Sequence, residues 1–126
     1  MYTDMKAPEL RKQIQRCQRE LSDVLQGLKQ RRPLIRGSVY KLKRKCGKAV
    51  CRCQEGRLHE SWVLSVPEKG CKRMQTVPAG KRLQWQQMAD RYRRFRRGRA
   101  QLVKLFAEIL RRLDEMERER TVPPPE

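Results

Sequence analysis

A chain of 126 residues is one domain's worth of protein, but 37% charged and 37% apolar residues cannot bury a large core for that length, so metal binding or helix pairing must supply part of the stability. The formal charge of +18, from 32 Lys and Arg against 14 Asp and Glu, makes polyanions the first partners to consider. No apolar run reaches the length of a membrane span and no cleavable signal pattern opens the chain, so a cytoplasmic protein without membrane contact is expected.

Leu10, Ile14, Cys17, Leu21, Val24 and Leu28 recur at alternating spacings of four and three. This predicts an amphipathic helix over roughly 8–31 whose seam suits coiled-coil packing, with Pro8 in its first turn and Pro33 ending it. Cys17 lies on the seam, where a free thiol acts as a small buried hydrophobe.

Three short strands are expected next, from Ser38-Val-Tyr-Lys-Leu, Glu60-Ser-Trp-Val-Leu-Ser-Val and Lys72-Arg-Met-Gln-Thr-Val, because their content is β-branched and aromatic. Pro67-Glu-Lys-Gly70 supplies a turn between the second and third. A three-stranded sheet is marginal alone, so one face should pack on the helices, with Trp62 as its anchor.

Between the first two strands Cys46, Cys51, Cys53 and His59 fall as C-x4-C-x-C-x5-H in a stretch almost free of large apolar residues. Three soft thiolates and an imidazole complete a tetrahedral shell for a structural Zn²⁺, and Gly47 and Gly56 can take the backbone turns a tight loop needs. The residues alone leave the fourth ligand open between His59 and Cys71.

A second seam runs Trp85, Met88, Tyr92, Phe95, Arg99, Leu102, Phe106, Ile109, Leu113 and Met116 in strict three-four alternation. One helix of nearly forty residues is expected, with Gly80 before it and Thr121-Val-Pro-Pro-Pro after it. It outlasts its N-terminal counterpart, so its distal half calls for a second copy, with Leu102, Phe106, Ile109 and Leu113 at the contact. The segments expected are 1–35 as the N-terminal helix, 36–80 as the zinc-binding meander, 81–120 as the long helix and 121–126 as a disordered tail. Together they make one α+β fold.

Positive charge concentrates in the middle, with +8 over residues 36–80 and +7 over 81–100. Lys43, Arg44, Lys45 and Arg52 surround the cysteines, and Arg93, Arg94, Arg96 and Arg97 lie in RYRRFRRGR, where six of nine residues are arginine. Solvated faces mix signs, whereas here the sign is nearly uniform. Arginine's planar fork suits phosphate oxygens, so these eight residues are the expected nucleic-acid contacts, on one surface if the sheet docks near the start of the long helix. Catalysis is not expected. The single histidine, the absence of a Ser-His-acid set or phosphate loop, and thiolates filling any metal shell leave no catalytic residue and no small-molecule substrate site. The other reading is a protein-interaction adaptor whose helices recruit a partner, and a third is binding to ribosomal or structured RNA.

The stretch RGSVYKLKRKCGKAVCRCQEGRLHESWVLS followed by YRRFRRGRAQLVKL resembles an uncharacterised family of small bacterial and archaeal proteins that carry C-G-K-x2-C-x-C-x5-H and a later Y-R-R-F. The resemblance covers about residues 36–110 and carries over Cys46, Cys51, Cys53, His59, Trp62, Tyr92 and Phe95 as motif positions. Ala49 and Glu60 depart from that pattern, and Cys71 has no counterpart in it, which favours His59 as the fourth ligand. It implies a role beside mobile elements.

Overall fold

The computed structural model describes residues 6–45, 56 and 58–125. Helix α1 spans Lys6–Leu28, strands β1, β2 and β3 span Ser38–Arg44, His59–Glu68 and Cys71–Thr76, and helix α2 spans Arg82–Arg120. The order helix, antiparallel sheet β1-β2-β3, long helix is the α+β arrangement expected from the sequence. No helix among the described residues is long and apolar enough to cross a membrane. The chain forms two compact units, one from Arg32–Arg94 and the other from the residues up to Arg31 together with those from Phe95 onward.

In the first unit the register pairs Ser38 with Ser65 and Arg44 with His59, so both strands run longer than their apolar content alone predicts. Strand alternation then puts Val39, Trp62, Leu64 and Val66 on one face. That face buries against Trp85 and Ala89 of α2, with Val77 and Ile35 closing the cluster. Trp62 is half-buried there, as expected of an anchor, and its ring carries the Arg82 guanidinium 4.1 Å and the Lys41 ammonium 5.7 Å from its centroid. Each such contact adds about 0.5–1 kcal/mol at an exposed site. The β2–β3 turn is Lys69-Gly70 between the paired Glu68 and Cys71, with Gly70 at a positive φ of 71° that glycine adopts without strain. Pro67 sits in the middle strand at no cost, because β1 pairs with β2 only as far as Ser65.

The second unit is a helix pair. Ala7, Leu10 and Cys17 are buried, and Ile14, Leu21, Val24 and Leu28 are half-buried, so the α1 seam is the one its spacing predicts. Cys17 Sγ donates to Glu108 at 3.6 Å, Gln101 donates to Glu20 at 2.8 Å, and Leu28 packs at Gly98. As α1 numbering rises from 17 to 28 its partners fall from 108 to 98, so α1 lies antiparallel along the distal part of α2.

This corrects the α2 seam. Leu102, Ile109 and Met116 are half-buried as expected, but Phe106 and Leu113 are 53% and 45% exposed and Arg99 is exposed, while Leu105 is 4% exposed. The covered row beside the central one is therefore Gly98, Leu105 and Arg112. The reason is steric: α1 docks where Gly98 has no side chain, and a Cβ there would stand 2.9 Å from Leu28 Cδ2. The alternative row would have placed the Arg99 charge in the seam. The distal seam thus has an intrachain partner and does not by itself call for a second copy.

Candidate nucleic-acid interface

The segment leading into β1 is tied down to α2, with Ile35 N–H donating to Met88 O at 3.1 Å and Arg91 donating to Pro33 O at 3.1 Å. Those bonds fix Arg36. Gly37 then passes close to β2, and a Cβ on it would meet Ser65 O at 2.7 Å, so only glycine lets β1 begin in register there. The result is an open groove of about 530 Å³ lined by Arg36, Ser38, Tyr40, Ser65, Lys72, Tyr92 and Arg93, together with Gly37 and Pro67.

Ser38, Tyr40, Ser65 and Lys72 reach the groove because register and alternation put them on the sheet face opposite the core. Tyr40 is 38% exposed and its hydroxyl donates to Met74 Sδ at 3.9 Å. Three cations line the groove and no acid does among the described residues. Arg93 is held by an ion pair to Asp90. The Gln86 amide, donating at 3.2 Å, and then Arg93 hold the Asp90 carboxyl below its usual range, so this carboxylate is charged at neutral pH and orients the guanidinium.

Arg44 closes the far end of β1, about 20 Å along the strand from Ser38 and the groove that Arg93 lines. Lys43 and Arg44 project to opposite faces of β1. Lys43 and Lys41 pair with Glu60 at 3.5 and 3.1 Å, and Lys41, by hydrogen bond and charge, is the main cause of the lowered Glu60 pKa. Lys45 is exposed just past Arg44, and Arg94, Arg96 and Arg97 are exposed on α2. Arg52 lies outside the described residues, as do Cys46, Cys51 and Cys53. Arg36, Tyr40 and Lys72 were not singled out by sequence; they are far apart along the chain and only the strand register joins them.

Of the metal positions, His59 is the first residue of β2 and stands opposite Arg44. It therefore sits at the mouth of the β1–β2 connection that carries the three cysteines. Cys71 is exposed and opposite Glu68, at the other end of β2, nine residues or about 30 Å from His59. The two cannot share one ion. No group of three His, Cys, Asp or Glu among the described residues is placed to hold a metal. Compared with known families, curated proteins and solved structures, the chain matches none.

Proposed function

We propose that this protein is a zinc-stabilised nucleic-acid-binding protein that grips phosphates with the groove at the start of β1 and stacks bases on its tyrosines. The observation that carries the reading is the groove itself, where Arg36, Lys72 and Arg93 stand beside Tyr40 and Tyr92. Cations that track a phosphate backbone, interleaved with rings that take any base, are the two elements of sequence-tolerant single-strand binding. A net charge of +18 supplies the long-range attraction. Arg44 and Lys45 extend the basic character to the other end of β1.

Zinc enters as a structural ion. Cys46, Cys51 and Cys53 with His59 would supply a closed Cys₃His donor set, and the place of His59 at the start of β2 supports it in preference to Cys71. When bound, the ion would cross-link the connection. The resemblance to proteins found beside mobile elements supports an accessory or regulatory role there.

Binding of labelled single strands and duplexes across a salt series tests the reading. Replacing Arg36, Lys72 and Arg93 with Gln should shallow the log-log salt slope by about 0.7 per lost phosphate contact on single strands and about 0.9 on duplexes. Tyr40→Ala and Tyr92→Ala should each cost about 1–3 kcal/mol on single strands if a base stacks there, and much less on duplexes. A triple Gln variant with wild-type affinity and slope on both substrates would sink the proposal.

A further inference from the structure

With α1 seated on the Gly98 side of α2, an apolar row is left uncovered on the other side. Val103, Phe106, Leu110 and Leu113 are 58%, 53%, 60% and 45% exposed, and their spacings of three, four and three put them in one line. A row of four large apolar side chains on an otherwise charged helix is an association surface. Its ends carry opposite charges: Arg99 lies four residues before Val103 and Glu117 four residues after Leu113, both exposed and neither in an ion pair among the described residues. From Arg99 to Glu117 the row is about 27 Å long.

That charge pattern selects the occupant. We infer that the row is a self-association surface on which a second copy of this chain lies antiparallel. Turning the row about its midpoint, at position 108, places Val103 opposite Leu113, Phe106 opposite Leu110 and Arg99 opposite Glu117, so one two-fold axis satisfies both halves. A parallel pair would set Arg99 against Arg99 and Glu117 against Glu117. It would also bring together two copies of a nine-residue segment that holds six arginines, whereas the antiparallel pair sets that segment toward the acid-rich Asp114–Glu119 stretch. The pairing uses neither the groove nor the cysteine connection and stands independently of the nucleic-acid reading.

Analytical ultracentrifugation of the full-length protein, without nucleic acid, tests it. The wild type should be a dimer at tens of micromolar. Leu110→Asp should be a monomer with unchanged helical circular dichroism, because this side chain makes no part of the core. Arg99→Glu and Glu117→Arg should each weaken the dimer about tenfold, and the double exchange should restore it to within about threefold, since two symmetry-related pairs are broken and then re-formed. A monomeric wild type, or a Leu110→Asp variant that remains dimeric, overturns the surface. Failure of the double exchange to rescue the singles overturns the antiparallel orientation.

Discussion

Alanine in place of three of the glycines should change stability in three different ways. At Gly37 a new Cβ meets Ser65 O at 2.7 Å, Leu64 Cδ1 at 3.0 Å and Val66 Cγ2 at 3.3 Å. The nearest atom is backbone and cannot rotate away. Relief to an ordinary carbon–oxygen contact requires a shift of about 0.5 Å at the Ser38–Ser65 pair, beside buried Val39 and Leu64. Overpacking of this kind costs about 1–3 kcal/mol, and the reduced freedom of the unfolded chain returns about 0.4–1 kcal/mol, so the net loss is about 1–2 kcal/mol. Gly27, in α1, has nothing within 4 Å of the same Cβ, so Gly27→Ala should gain about 0.5–1 kcal/mol from helix propensity alone. Gly98→Ala should fall near zero, because the atom at 2.9 Å is the tip of a half-buried leucine that can move and the helix gains propensity. Urea unfolding is the assay. Trp62 and Trp85 both pack on the Leu64 cluster, so their fluorescence reports on the Gly37 change, and circular dichroism follows the helices. At a slope of about 1–3 kcal/mol per molar urea, Gly37→Ala should lower the midpoint by about 0.5–1.5 M. A Gly37→Ala midpoint at or above wild type would refute the steric argument.

Zinc and the buried thiol give two further tests. Protein purified without chelator should carry one zinc per chain by elemental analysis; His59→Ala should lose it and Cys71→Ser should keep it, and the reverse pattern would reassign the fourth ligand. Cys17 is pushed above its ordinary pKa, by burial first and then by the Glu108 carboxylate. The neutral thiol is therefore the form the fold prefers, so its contribution is complete below about pH 9 and is lost as pH rises through the raised value. Helical melting temperature in the wild type should fall more steeply above pH 9 than in Cys17→Ala, and parallel curves would show that the thiol does not matter.

The elements were legible because each rests on a local signal. The six-position α1 seam, the β-branched runs and the long periodic stretch from Trp85 each fix an element's type without knowledge of its neighbours. The groove was not legible, because Arg36, Tyr40, Lys72 and Arg93 converge only through strand register and the bonds from Ile35 and Arg91, none of which leaves a mark in the local pattern. How the basic residues of β1 divide between its two faces likewise follows only from the strand. Alternation separates Lys43 from Arg44, and Glu60 takes up the Lys43 charge.

The α2 seam shows where periodicity stops deciding. Leu102, Ile109 and Met116 form a central row with two usable neighbours, Gly98-Leu105-Arg112 on one side and Arg99-Phe106-Leu113 on the other. By apolar content the second row is the better seam, with two large side chains against one. Packing chose the first because interhelical approach is limited by the bulkiest residue at the crossing, and Gly98 removes it where Leu28 must pass. Leu105 alone then enters the core at 4% exposure, and Arg112 fits beside it by donating to Glu108 at 3.2 Å. The apolar residues so displaced keep their solvent cost, since four large side chains remain about half exposed. The apolar arc of α2 is therefore wider than α1 alone covers, and it is this excess, bounded by Arg99 and Glu117, on which the proposed antiparallel pairing rests.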